Sequence, residues 1–466
     1  MNSSHPLQFN EGSKVNVSDQ PQQDLYSGKM KRKRALPDIG ATSKKQETGL
    51  SIFWNGIIIY MVAYAMSATR EVYVSASICQ GFQLIGFFMI VYGAVQVSKY
   101  KFDSPYLKAL VSLYLVYVTT VVLRGAKYDS NSIKQMLFSV GMGILPYFTP
   151  IVLLLPRNIA MYRKMFRAAV ILGVFYILFV FMFYSIIHDP DRLNLAALEL
   201  VEVFFGILAF GCAYVLLTFK YHTGKKGLFA LGKYNIISIL AMMTAMFFAI
   251  YRARRGLIFI CGSSIAAICL WYFIHAKNKA MIIVMSVIMA ATITIYFAGR
   301  KVPAIFNFVL DRADEDTRSG VEDYLYADMS STDWVIGKGF NGEYFCPVVE
   351  NVNDALGNGY RAVIETGYLQ IILNGGMIHI ILLLLIMVPA IYLGTFKSRN
   401  ILSKASATWI LLWMVYEYPT SGFGFILQYI LVWISVGICY SKTLRNSRDE
   451  VIEYYLKAKT LPRLKK

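Results

Sequence analysis

The chain has 466 residues and a net charge of +18, with 56% hydrophobic and only 16% charged residues and a mean hydropathy of +0.50. That balance excludes an ordinary soluble domain and points to a protein that crosses a membrane many times. The excess of Lys and Arg is gathered in short loops and at both ends, so it is read as topology and lipid contact, not as a nucleic-acid footprint.

Residues 1–49 are rich in Ser, Gln, Asn and Lys and are expected to form a disordered cytoplasmic tail with no cleavable signal peptide. The run Lys29, Lys31, Arg32, Lys33 and Arg34 matches a nuclear-import patch in composition. With a span following, it is read as an anchor beside anionic lipid. A span needs about 20 apolar residues to cross about 30 Å of hydrocarbon. Segments at 50–69, 74–98, 106–123, 135–155, 167–187, 200–219, 234–251, 256–275, 280–299, 366–393, 401–418 and 420–441 meet that test. Backbone groups in lipid must be satisfied within the segment, so these are expected to be helices. The predicted fold is an all-α polytopic membrane protein: nine helices in 50–299, a large extracytoplasmic loop at 300–365, three helices in 366–441 and a basic cytoplasmic tail at 442–466.

The segments at 200–219 and 401–418 are the weakest, because Glu202 and Lys404 sit near their ends. Pro146, Pro150 and Pro389 are expected to kink spans. His379 falls near the middle of the tenth span, where an ionisable group is often functional; a neutral histidine bonded across helices is the plainer reading. Five of the six cysteines lie in predicted spans, and Cys346 stands alone in the long loop, which therefore carries no internal disulfide.

With the basic amino terminus inside, alternation puts most Lys and Arg on the cytoplasmic side. One short outer turn breaks the pattern: Arg252, Arg254 and Arg255 join the seventh and eighth spans. Arginine presents a planar, permanently charged fork suited to phosphate oxygens, and Arg255-Gly256 stands where a helix begins. Lipid phosphate, acids of the long loop or a substrate phosphate would each satisfy this cluster.

The loop from Arg300 to Glu365 holds twelve acids against six bases, the reverse of the rest of the chain. It is expected to fold as a cap. Residues 311–318 read as a polar helix with charges of both signs, and 337–342 as a glycine-rich turn. That turn satisfies G-x-G-x-x-G but lacks a βαβ setting, so it is not read as a dinucleotide site. Arg361 and Glu365, four residues apart, are expected to share a helix face at the mouth of the membrane. Glu365 there could take a proton from a sugar hydroxyl or form a structural ion pair with Arg361.

Twelve spans, a large outer loop before the tenth, an Arg-Gly opening a middle span, a Gly-x-Gly-aromatic turn and the run Glu365-Thr366-Gly-Tyr368-Leu369-Gln370 followed by Gly375-Gly376 together resemble the O-antigen polymerase and O-antigen ligase superfamily. The recognisable motifs lie between about 230 and 395. The resemblance implies an inverting, GT-C-like glycosyltransferase at the outer leaflet of a bacterial inner membrane, with both termini cytoplasmic. It implies action without nucleotide sugar, cofactor or metal on a glycan carried by undecaprenyl diphosphate. Membrane lipids and a chain-length regulator would be its other partners. Ligase members carry His-Asn where this chain has Glu365-Thr366, a departure that favours a repeat-unit polymerase for O-antigen or capsule over a ligase.

On that reading Glu365 and Arg255 are the catalytic candidates. Arg254, Arg318 and Arg361 would join Arg255 on the donor diphosphate, with Arg124 as a further phosphate ligand. Trp334, Phe340 and Tyr368 would stack on sugar rings. A transporter or flippase for the same lipid-linked sugars is the competing class. Carriers commonly show internal repeats and charges within spans, and this chain shows neither pattern. A membrane scaffold working through the basic tail is a third reading.

Overall fold

The computed structural model describes residues 43–67, 75–98, 102–188, 200–224, 231–275, 319–347 and 359–458. The span expected at 280–299, the polar helix at 311–318 with Arg318, and most of the amino-terminal tail lie outside them. Seven described helices are long and apolar enough to cross a membrane. They are α1 (Lys44–Ser67), α2 (Ala76–Val97), α3 (Pro105–Gly125), α6 (Ile159–Met182), α8 (Lys233–Tyr251), α9 (Arg255–His275) and α12 (Gly367–Phe396). Between them lie the short helices α4 (Ser130–Phe138), α5 (Leu145–Phe148) and α7 (Gly206–Leu217). In the loop region are α10 (Ser319–Asp328), α11 (Ser331–Ile336) and the strands β1 (Tyr344–Phe345) and β2 (Tyr360–Arg361). After α12 follow α13 (Ile401–Tyr416), α14 (Leu427–Tyr440), α15 (Lys442–Asn446) and α16 (Asp449–Lys457).

Helix starts follow local chemistry. Ser104 accepts from the Leu107 amide ahead of Pro105, and Asn158 and Asn400 cap α6 and α13 in the same way. Helix α1 begins at Lys44, so residues 44–49, expected in the tail, are its first turns, and Gly49 and Leu50 are already buried. The outward faces of α2 and α3 carry Ile78, Phe82, Phe88, Leu113 and Val116, all more than half exposed. In water that surface would be costly; against lipid it is the expected boundary.

Of the two segments read as weakest from the sequence, α7 is buried at every residue, while α13 hides Trp409 and Trp413 on one face and exposes Leu411 and Val415 on another. Helix α14 has 14 residues, about 21 Å at 1.5 Å per residue, which falls short of a bilayer core. Its entire length is buried, so protein and not lipid meets its ends.

The links between helices sort onto two ends of the bundle. At one, the tail end, Asp103 pairs with Arg157 at 2.8 Å, Lys220 faces Asp449, and Asn400 donates to the carbonyls of Leu444 and Ser447. At the other, the loop end, Arg124 and Gly125 meet residues 336–341, and Lys127 pairs with Glu343 at 2.7 Å. The helices from α1 to α9 alternate between these ends, and so do α12, α13 and α14.

Three stretches near the loop end are unwound. The segment expected as a span at 135–155 is broken: α4 ends at Phe138, and Pro146 and Pro150 open α5 and a 3₁₀ turn, Thr149–Leu154. The link 417–426 between α13 and α14 is irregular. Helix α12 breaks at Gly376, with φ 64° and ψ −174°; Pro389, expected to kink it, sits within helical backbone instead. Irregular backbone at membrane depth persists only where protein supplies its hydrogen bonds. Here Phe425 donates its amide to the Val140 carbonyl at 2.6 Å, and Gln83 donates to the Phe138 carbonyl.

Candidate functional site

The break in α12 explains how the long loop is held. With Gly376 out of helical geometry, the carbonyls before it lose their usual donors four residues on. The loop replaces them: the Lys338 amide donates to the Leu373 carbonyl at 2.7 Å and the Gly339 amide to the Asn374 carbonyl at 2.9 Å. The Tyr117 hydroxyl, from α3, serves the Gly375 carbonyl at 2.6 Å. Gly376 has no room for a side chain, since a Cβ would fall 2.2 Å from the Val335 carbonyl oxygen. The turn at 337–342 is thus a docking element seated in a helix break.

Arg124 completes the seat. Its guanidinium donates to the carbonyls of Ile336 at 2.6 Å and Gly337 at 3.1 Å. Lys338 is fixed by Asp328 and by the Glu343 carbonyl. The capping box of Ser330 and Asp333 starts α11 and presents Trp334, which stacks on Tyr326 with ring centroids 6.0 Å apart.

Beneath the seat lies a buried polar cage. His379 is fully buried; its Nε2 meets the Tyr114 hydroxyl at 3.1 Å, and its ring lies parallel to Tyr147 and edge-on to Phe423. Asn374 donates to the Tyr147 hydroxyl at 2.9 Å. His379 Nδ1 has no hydrogen-bond partner among the described residues. The cross-helix histidine expected from the sequence is what is found.

Above the seat, β1 and β2 pair Tyr344 with Arg361, and residues 362–366 are irregular up to the start of α12. The expected helix carrying Arg361 and Glu365 on one face is therefore replaced by a strand and a bend, because the helix starts only at Gly367. Arg361 is half-buried, forms no ion pair among the described residues, and leaves Nε without a hydrogen-bond partner there. Glu365 is exposed. Burial pushes the Tyr344 phenol up to about 12, while the neighbouring Arg361 pulls it back and Glu365 adds to the rise. Both charged groups thus act on one buried tyrosine.

The remaining predicted residues divide. Arg255 is exposed at the first position of α9 and Arg254 is half-buried beside it, after Ala253 turns the chain at φ 49°. Their end of α9 is the loop end, because Tyr416, at the loop end of α13, donates to the Ile260 carbonyl at 3.2 Å. Phe340, expected as an open stacking surface, is 5% exposed and packs edge-on against Tyr147, so it is part of the core. Tyr368 is half-buried with its hydroxyl on the Met414 carbonyl.

Sequence reasoning passed over Glu417. It is the only Asp or Glu between Thr366 and Ser441, which was the available signal. Its side chain is fully buried at the end of α13, and neither carboxylate oxygen has a hydrogen-bond partner among the described residues. Gly367 makes the space, since a Cβ there would lie 2.1 Å from Oε2. The carboxylate faces the amino terminus of α12, where the helix dipole favours negative charge. All six cysteines are free, and Cys346 is buried in the loop. Among the described residues, no cluster of three or more His, Cys, Asp and Glu side chains could hold a metal ion.

No family model, curated protein or solved structure matches this chain.

Proposed function

We propose that this helical membrane protein is a glycosyltransferase that polymerises glycan repeat units carried on undecaprenyl diphosphate, working at the loop end of the bundle on the outer leaflet of a bacterial inner membrane. The observation that supports this best is Arg361: a half-buried guanidinium with no carboxylate partner among the described residues, on the same ledge as the exposed Glu365 and above the amino terminus of α12. A diphosphate would add an anionic partner to a guanidinium that faces the Tyr344 phenol. Arg254 and Arg255 stand at the same end of the bundle, and Arg318 is assigned to the same role by its place in the loop sequence.

In this mechanism the acceptor hydroxyl oxygen attacks the anomeric carbon of the donor glycan as that carbon's bond to the diphosphate oxygen breaks. Glu365 takes the hydroxyl proton. The arginines hold the diphosphate and stabilise the negative charge that grows on it, and undecaprenyl diphosphate leaves. The stacked pair of half-buried Trp334 and exposed Tyr326 offers an aromatic edge for sugar rings. Arg124 serves as the clamp that holds the loop over the helix break, and Phe340 as its buried anchor. Glu365-Thr366 at the ligase His-Asn position favours polymerase over ligase, and the dominant loop favours an enzyme over a flippase.

The reading is tested on the producing strain by deleting the gene and complementing with wild type, Arg255→Ala or Glu365→Gln. A polymerase predicts collapse of the polymer ladder to single repeat units, restored by wild type and by neither variant at normal protein levels. Loss of all surface glycan while polymer collects on its lipid carrier would mean a ligase. An unchanged ladder would sink both.

A further inference from the structure

A cavity of about 310 Å³ opens at the loop end between α1, α2, α4 and the turn before α7, and it shares no lining residue with the Arg361 ledge. Among the described residues its walls hold one cation, Lys134, and no acid. Lys134 is exposed and has no ion-pair partner among the described residues. Neutral hydrogen-bonding groups surround it: Gln80, Gln83 and Ser139. Gln83 is 2% exposed, and its bond to the Phe138 carbonyl at 3.2 Å ties α4 to α2 across the floor. Ser139 accepts from the Met142 amide, which leaves its hydroxyl proton for another acceptor. The opposite wall is apolar, a stacked pair of Tyr64 and Phe204 with centroids 5.1 Å apart.

The setting is the membrane surface. The cavity reaches Ser67, the last residue of α1, and Ala76, the first of α2. Helix α4 carries exposed Ile133 and Leu137 beside Lys134, the pattern of a short helix lying at the headgroup level. Just below, Ile78, Phe82 and Ile85 of α2 face outward, where hydrocarbon chains would run. At about 30 Å³ for each water displaced, the volume suits a headgroup with its first carbons and not an oligosaccharide.

We propose that this cavity binds the phosphate of an anionic membrane lipid, with Lys134 as its charged ligand, Gln80 and Ser139 as neutral donors and the Tyr64–Phe204 wall against the start of the lipid chain. A permanently anionic phosphate satisfies a lysine that meets no acid among the described lining residues, whereas a zwitterionic headgroup brings its own cation. The assignment does not depend on glycosyl transfer.

The test is lipid titration of the full-length protein in detergent, read by native mass spectrometry, with phosphatidylglycerol, phosphatidylcholine and inorganic phosphate as probes. Wild type is expected to retain phosphatidylglycerol in preference to phosphatidylcholine. Lys134→Gln should weaken that retention roughly tenfold, the loss of one charge-assisted hydrogen bond. Lys134→Arg should keep it, and Lys127→Gln, a surface lysine of the same end outside the cavity, should leave it unchanged. Equal retention by wild type and Lys134→Gln overturns the proposal, as does equal binding of the two lipids. Displacement of phosphatidylglycerol by millimolar inorganic phosphate overturns it too, because the ligand would then be the free anion. Lys134 is exposed, so its variants do not put the fold at risk.

Discussion

Gly376→Ala should unseat the loop. At φ 64° and ψ −174° the backbone occupies a region open almost only to glycine, and forcing another residue there costs about 1–3 kcal/mol. The added Cβ would also meet the Val335 carbonyl oxygen at 2.2 Å, its carbon at 2.3 Å and the Ile336 amide nitrogen at 2.5 Å. These are backbone atoms, which yield only if the segment moves, at about 1–3 kcal/mol more. The sum, about 2–6 kcal/mol, is a large share of a typical folding stability. Part of it can be relieved by lifting α11 and the 337–342 turn off α12, which would break the amide bonds from Lys338 and Gly339. The assay is thermal unfolding of the purified full-length protein in detergent together with the rate of trypsin cleavage after Lys338. The control is Gly81→Ala, an exposed helical glycine with nothing within 4 Å of its would-be Cβ, which should be neutral or stabilising by up to about 1 kcal/mol. If Gly376→Ala melts with the control and Lys338 is cut no faster, the seat does not hold the loop.

Arg124→Gln removes two bonds to the carbonyls of Ile336 and Gly337, at a cost of about 1–2 kcal/mol given the exposure of the guanidinium. Cleavage after Lys338 should rise, and Arg124→Lys should recover only part, since an ammonium lacks the two-pronged geometry. At the tail end, burial and secondarily Lys457 push His222 down to about 3, with its ring 4.5 Å from Phe166. Folded His222 is neutral while the unfolded chain gains a proton below about 6.5, so its contribution is complete above that pH and is lost as pH falls towards 3. The ring keeps some exposure, so thermal unfolding at pH 7 and pH 5 should differ by about 1 kcal/mol on its account, a difference that His222→Gln removes. Cys346, a buried free thiol, should resist a membrane-impermeant maleimide in the folded protein and react fully in detergent denaturant. Labelling of native protein would contradict the burial.

The helical membrane architecture was legible because lipid leaves few options: long apolar runs without charge become helices, and seven described helices have the expected length and composition. The breaks were less legible. Pro389 drew attention as the breaker of α12, yet its missing amide bond is tolerated within the helix while Gly376, nearer the helix start, turns the backbone. That turn exists because the loop supplies donors from about 35 residues upstream in sequence, which no local pattern encodes. Arg361 was expected on a helix from its four-residue spacing to Glu365, but pairing with Tyr344 claimed it for a strand. Glu417 carried a signal in its isolation among apolar residues, and position alone could not say that it faces a helix amino terminus. Phe340 was noticed as an aromatic in a glycine turn, and only the packing on Tyr147 separates a buried anchor from an open surface.

The most direct test of the central claim uses purified full-length protein in vesicles with its undecaprenyl-diphosphate-linked repeat unit as the only glycan, following product length on a gel. The expected result is a ladder of longer lipid-linked chains with release of undecaprenyl diphosphate, absent for Glu365→Gln and strongly reduced for Arg361→Ala, with both variants melting as wild type does. Substrate that stays at one repeat unit with folded wild-type protein would contradict the polymerase assignment. Elongation unaffected by either variant would contradict the site.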